Sequence, residues 1–132
     1  MVEIAILDDN YDFCLAMDYL LSNYFEVSSF TDTDTFLKEI ESGKYDLGLI
    51  DLSIIPTTGT EIQNGCELIE YLKEHLKSPP ALILFTGWLG RNDLEEGRKM
   101  CPLADGFLSK GSDFDEILQE INRFLTSKVH KA

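Results

Sequence analysis

The chain has 132 residues, with 24 acidic against 11 basic and a net charge of −13; that balance argues against direct binding to nucleic acid or anionic lipid, because counterion release needs a basic surface. The length suits one domain with a real core, the apolar runs (such as "ALILF") are too short to span a bilayer, and Met1 leads at once into strand-like sequence, so no signal peptide is expected. Cys14, Cys66 and Cys101 are widely spaced with no CxxC pair and read as reduced thiols of a cytosolic protein, while His75 and His130 lack partners at metal-ligand spacing.

Five short apolar runs read as buried strands, the first being "VEIAIL" (2–7). "DFCLAMDYLLSNY" follows with helical period, and Phe13, Met17, Leu20 and Tyr24 fall on one stripe. "FEVSSF" (25–30) is the second strand, and "DTFLKEIESG" is a helix ending at Gly43, a natural C-cap. The third strand is "YDLGLID" (45–51), after which "GCELIEYLKEHLK" places Leu68, Ile69 and Leu72 on one helical side and stops before Pro79 and Pro80. "ALILFT" (81–86) is the fourth strand, "NDLEEGRKM" a short polar helix, and "DGFLSK" (105–110) the fifth strand. "SDFDEILQEINRFL" opens with Ser112 and carries Asp115 three residues on, at capping-box spacing. Its stripe is Phe114, Leu118, Ile121 and Leu125; the helix is expected to end near Leu125, leaving "TSKVHKA" as a short tail.

Strand and helix alternate five times. Near-continuous apolar strands separated by helices imply a parallel sheet covered on both faces, a three-layer α/β/α sandwich. Open sheets of this kind bind ligands beyond the carboxyl ends of the strands, at the topological switch point.

Reading those ends gives Asp8 and Asp9 after the first strand, Asp51 after the third, Thr86 at the fourth and Lys110 at the fifth. Two carboxylates about 4 Å apart repel by roughly 4 kcal/mol at an effective dielectric near 20. Three together need a proton or cations to relieve them. Lys110 supplies one positive charge, and a hard divalent ion with oxygen ligands supplies two more, so Asp8, Asp9 and Asp51 read as a site for Mg²⁺. Taken singly, the features have blander readings: paired acids serve as solvated loop residues, Asp9 or Asn10 can cap the first helix, Thr86 is a strand-end hydroxyl and Lys110 a surface lysine. Their joint placement on four strand ends, in this chain order, is what separates a site from scatter.

The ordered set Asp8-Asp9, Asp51, Thr86, Lys110 resembles the receiver domain of two-component response regulators, and the resemblance covers essentially the whole chain. It implies a flavodoxin-like fold with strand order 2-1-3-4-5, and a phosphoryl group taken from a sensor histidine kinase or histidine phosphotransfer protein. On that resemblance Asp51 is the phosphoacceptor, Asp9 binds Mg²⁺ directly, Asp8 does so mainly through water, and the backbone carbonyl of Ser53 is the remaining protein ligand. Thr86 and Lys110 would hold phosphoryl oxygens, Gly87 would keep the pocket open, and Phe107 matches the aromatic position of the switch. The chemistry suits these residue types: an acyl phosphate forms on a carboxylate once metal and ammonium neutralise the transferring group. Phosphorylation adds charge and acceptor oxygens, which draws Thr86 inward and frees space for Phe107.

The chain departs from the family pattern in places. "LSIIPTTGTEIQNG" after Asp51 is longer than the usual loop, either a partner-specific lip or tolerated length, and it bears on the Ser53 assignment. Gly111 stands where the family commonly has a cis proline; glycine can supply unusual backbone angles instead. Trp88 is expected to shield the acyl phosphate from water. Leu15 and Tyr19 point away from the apolar stripe of the first helix, on the face that docks the kinase in the family; ordinary surface scatter is the other reading. With a short tail after the last helix, output is expected by contact or relay to a downstream protein in the cytoplasm, unless the sequence is a piece of a longer regulator, with no nucleic acid or membrane engaged. Two alternatives are a Mg²⁺-dependent aspartyl-phosphate phosphohydrolase, which would carry D-x-D where this chain has Asn10, and a phosphorylation-independent binding module, which intact Asp51 and Lys110 disfavour.

Overall fold

A computed structural model describes residues 1–54, 62–87 and 94–131. In chain order the elements are β1 (Glu3–Leu7), α1 (Tyr11–Leu21), β2 (Glu26–Phe30), α2 (Thr33–Ile40), β3 (Leu47–Ile50), α3 (Gly65–His75), β4 (Ala81–Thr86), α4 (Leu94–Met100), β5 (Gly106–Ser109) and α5 (Phe114–Lys131). All strands pair in parallel, in the order β2-β1-β3-β4-β5, as the alternating pattern and the family resemblance led one to expect.

Short polar side chains start the helices. The side-chain oxygen of Asn10 accepts from Phe13 N–H at 3.1 Å, that of Asp32 from Thr35 N–H at 2.9 Å, and that of Asn64 from Glu67 N–H at 2.9 Å. For α5 the cap is Asp113, which accepts from Glu116 N–H at 2.9 Å. This replaces the expected Ser112 cap by the next residue, whose carboxylate also complements the positive end of the helix. Helix α2 unwinds into Gly43, which takes the left-handed φ of 79° that a side chain would resist.

Period-two alternation divides the core. Ile4, Ile6, Leu47, Leu49, Ile83, Phe85 and Leu108 face α1 and α5, where they meet Met17, Leu21, Ile117 and Ile121. Ala5, Leu7, Ile50, Leu82 and Leu84 face the other way, onto Phe36, Ile40, Leu68, Ile69 and Leu72. Burial on both faces explains why these strands read as continuous apolar runs.

Two further expectations are corrected. The buried face of α1 is Cys14, Met17 and Leu21, with Phe13 half-buried, while Leu20 and Tyr24 are exposed. Both spacings fit a helix; contact with β1 and β2 chose the phase, and Tyr24 lies past the last helical residue. Helix α5 does not end near Leu125 but runs to Lys131, since residues 126–131 contain no glycine or proline to stop it.

Candidate functional site

The sheet order creates the site. Strands β1 and β3 are neighbours whose connections leave in opposite directions, and Leu7 pairs with Ile50 in register. The next residues, Asp8 and Asp51, therefore emerge side by side. Asp51 N–H donates to the Leu7 carbonyl at 3.0 Å and Asp8 N–H to the Phe30 carbonyl at 3.0 Å, which fixes both backbones. On the other flank Thr86 pairs with Ser109, and Lys110 N–H donates to the Thr86 carbonyl at 3.1 Å.

Carboxylate oxygens of Asp8, Asp9 and Asp51 all lie within 4.8 Å of one another. Asp8 is 2% exposed and Asp51 6%, whereas Asp9 faces solvent. The Lys110 ammonium crosses to this cluster, donating to Asp8 Oδ2 at 2.5 Å and sitting 3.6 Å from Asp51 Oδ1. The other oxygen of Asp8 accepts from Asn10 N–H at 2.9 Å. Burial holds the Asp51 carboxyl above the usual carboxylate range, and the charges of Asp8 and Asp9 push the same way, against Lys110 and the Ser53 backbone N–H. One ammonium against three carboxylates leaves an excess of negative charge. The donor set is all carboxylate oxygen, hard and closely spaced, which fits Mg²⁺ with several waters retained.

Beside the acids, Asp51, Ser53, Thr86, Gly87 and Lys110 line one open cavity. Residues from β3, β4 and β5 thus converge on a space large enough for a small anion, with a carboxylate on one wall and an ammonium on another. Phe107 lies across the sheet from Lys110 by strand parity, pairs with Leu84 in register, and packs half-buried on the α2–α3 side of the core. Thr86, fully buried, shares that face two residues on from Leu84.

Seven of the expected positions, Asp8, Asp9, Asp51, Ser53, Thr86, Gly87 and Lys110, therefore meet at one rim. Leu15 and Tyr19 do not; they are 49% and 79% exposed on the outer face of α1. Trp88 and residues 55–61 of the long loop lie outside the described residues. Gly111 does not use the angles only glycine tolerates, and no cis peptide bond occurs among the described residues; the Gly111 N–H donates to Ser109 Oγ at 3.1 Å.

Three contributors were not read from the sequence. Gly65 opens α3 against the turn after Asp51: its N–H donates to the Leu52 carbonyl at 2.8 Å, and a Cβ there would collide with the Asp51 carbonyl oxygen. A glycine closing a loop and opening a helix is the only sequence signal for it. Cys14 Sγ lies 3.4 Å from the Asp8 carbonyl oxygen, and burial pushes this thiol up to about 11, so it stays a protonated donor. Phe13 sets its ring 4.4 Å from the Lys110 ammonium, a contact across the fold that helical periodicity does not announce.

Comparison with known proteins agrees with this fold. Residues 4–122 match the family model of the response regulator receiver domain. The transcriptional regulatory protein CiaR of Streptococcus pneumoniae is 28% identical over 125 residues, which cover 95% of this chain and 52% of that protein. The chain thus spans about half the length of that curated relative. A CheY-like receiver domain from Methanospirillum hungatei superposes with a TM-score of 0.76 at 20% identity, covering 100% of this chain and 99% of the other. DrrB of Thermotoga maritima, an OmpR/PhoB homologue, does so with a TM-score of 0.76 at 22% identity, over 97% of this chain and 54% of that one. At those identities the structures speak to the fold, and the family match carries the assignment: the chain belongs to the response regulator receiver domain family.

Proposed function

We propose that Asp51 is the phosphoacceptor of this receiver domain, taking a phosphoryl group from a phosphohistidine on a sensor kinase or histidine phosphotransfer protein. The observation that carries this reading is the cavity in which Asp51, Thr86, Gly87 and Lys110 face one another beside the Asp8–Asp9 pair. An Asp51 carboxylate oxygen attacks phosphorus as the P–N bond to the donor breaks; the bond's electron pair stays on that nitrogen, and a donor already protonated on its other ring nitrogen leaves as neutral imidazole. Lys110 holds one equatorial oxygen and Thr86 another, with little for the protein to do beyond positioning and charge stabilisation. Asp9, Asp51 and the Ser53 carbonyl would hold Mg²⁺, with Asp8 acting mainly through water; when bound, the ion supplies the positive charge that lets an anionic donor approach the acids.

After transfer, Thr86 moves toward the new oxygens and Phe107 takes up the space behind it, changing the surface offered to a downstream protein. In this reading the domain is a substrate of phosphotransfer in the cytoplasm rather than a turnover enzyme. No helix among the described residues is long and apolar enough to cross a membrane. Leu15 and Tyr19 form the docking ridge for the phosphodonor; phosphotransfer rates unchanged in Leu15→Glu would remove them from it.

The deciding experiment is intact-mass measurement after exposure to a phosphoramidate and Mg²⁺. Wild type should gain one phosphoryl group and Asp51→Asn none. No gain in wild type, or an equal gain in Asp51→Asn, would overturn the assignment.

A further inference from the structure

We propose that Phe13 is a positioning residue for Lys110, its ring face seating the ammonium over the acid cluster. The Lys110 nitrogen lies 4.4 Å from the ring centroid, within cation–π range. The ring is itself held edge-on by Phe85, with centroids 5.4 Å apart at 62°. Phe85 is fully buried in the sheet, so this support is rigid.

The contacts close a circuit. Lys110 donates to Asp8 Oδ2, Asp8 Oδ1 accepts from Asn10 N–H, Asn10 Oδ1 accepts from Phe13 N–H, and the Phe13 ring lies against Lys110. Asn10 therefore does two things at once: it caps α1 and sets the height of the ring beneath the ammonium. The arrangement answers a local problem. Lysine is a flexible chain, and the Lys110–Gly111 bond is trans with no special backbone angle to aim it. A carboxylate partner alone would hold the ammonium by using up its N–H groups. The π face attracts the charge without accepting a classical N–H hydrogen bond, so donors remain for an incoming phosphoryl oxygen. It also stays in place when the charge on Asp51 changes.

The kinetic part of this inference rests on the reading of Asp51 as phosphoacceptor; the geometric part does not. The geometric test is NMR of the metal-free, unphosphorylated protein. The Lys110 side-chain protons should be shifted upfield by the ring current in wild type and Phe13→Tyr, and should return to ordinary lysine positions in Phe13→Leu. Unshifted protons in wild type, or a shift that persists in Phe13→Leu, would overturn the proposal. The kinetic test is the rate of phosphoryl gain from a phosphoramidate with Mg²⁺. Phe13→Leu should slow it roughly fivefold, in keeping with the usual strength of a partly desolvated cation–π pair, and Phe13→Tyr should restore it. A trifluorinated phenylalanine at position 13 keeps the packing but drains the ring face, and should be as slow as leucine; wild-type speed in that variant would show the ring to be packing only and would sink the proposal. If wild type itself gains no phosphoryl group, the phosphoacceptor reading fails, and the ring-current measurement still decides whether Phe13 seats Lys110.

Discussion

Replacing Lys110 by methionine removes the cation seated between two buried acids. At an effective dielectric near 20, its attraction to Asp8 at 2.5 Å amounts to roughly 6–7 kcal/mol and that to Asp51 at 3.6 Å to roughly 4–5 kcal/mol. Most of this gross attraction is offset by the cost of desolvating the ammonium, whose side chain keeps 23% exposure. The net loss on Lys110→Met should therefore be about 2–3 kcal/mol, at the low edge for breaking a buried pair. For a domain of this size that lowers the melting temperature by roughly 10 °C. The assay is urea and thermal denaturation with a chelator present, for wild type, Lys110→Met, Asp8→Asn and the double variant. Asp8→Asn should change wild type little, because Lys110 keeps Asp51 at 3.6 Å, yet stabilise Lys110→Met by removing an orphaned charge. Addition of Mg²⁺ should rescue Lys110→Met more than it helps wild type. A Lys110→Met protein within about 0.5 kcal/mol of wild type, or additive effects of the two substitutions, would refute the coupled-charge account of this pocket.

Asp51→Asn should stabilise the metal-free protein. Burial and the neighbouring acids raise the folded-state pKa of Asp51, so the native state binds a proton that the unfolded chain has released. The carboxylate then costs stability as pH rises through that folded value, and the cost is absent below the unfolded value of about 4. Urea melts across this range should show wild type falling away from Asp51→Asn as pH rises; parallel profiles would contradict it. Gly65→Ala should cost about 3 kcal/mol because its Cβ meets the Asp51 carbonyl, whereas Gly87→Ala, with nothing within 4 Å of its added Cβ, should melt within about 0.5 kcal/mol of wild type while slowing phosphoryl gain by narrowing the cavity. Asp32→Ala removes the cap of α2 and should cost about 1 kcal/mol. The hydrogen bonds to Thr35 hold the Asp32 carboxyl below its usual range, so the contribution is present above the unfolded pKa and fades as pH falls through the folded one. Acid titration of stability in the two proteins should converge; a gap that survives below pH about 2 would point to packing instead.

The five apolar strands, the helices between them and the chain order of Asp8, Asp9, Asp51, Thr86 and Lys110 were all legible in the sequence. The reason is local: burial of β1, β3 and β4 on both faces writes itself as apolar runs, and polar chemistry at strand ends must interrupt such a run with a polar residue. Even the convergence of these residues was legible, because a parallel sheet brings the carboxyl ends of its strands to one edge whatever the intervening helices contain. The phase of α1, the shift of the α5 cap to Asp113 and the length of α5 were not, since each rests on choices that several spacings satisfy equally. Only the tertiary structure decided that Lys110 reaches Asp8, 102 residues away, rather than pairing with Asp51 alone. It alone set Phe13 beneath that ammonium and Gly65 against the Asp51 carbonyl. Those contacts join elements that are remote in the chain and adjacent only through the order of the sheet, and no periodicity within a segment carries information about what crosses to meet it.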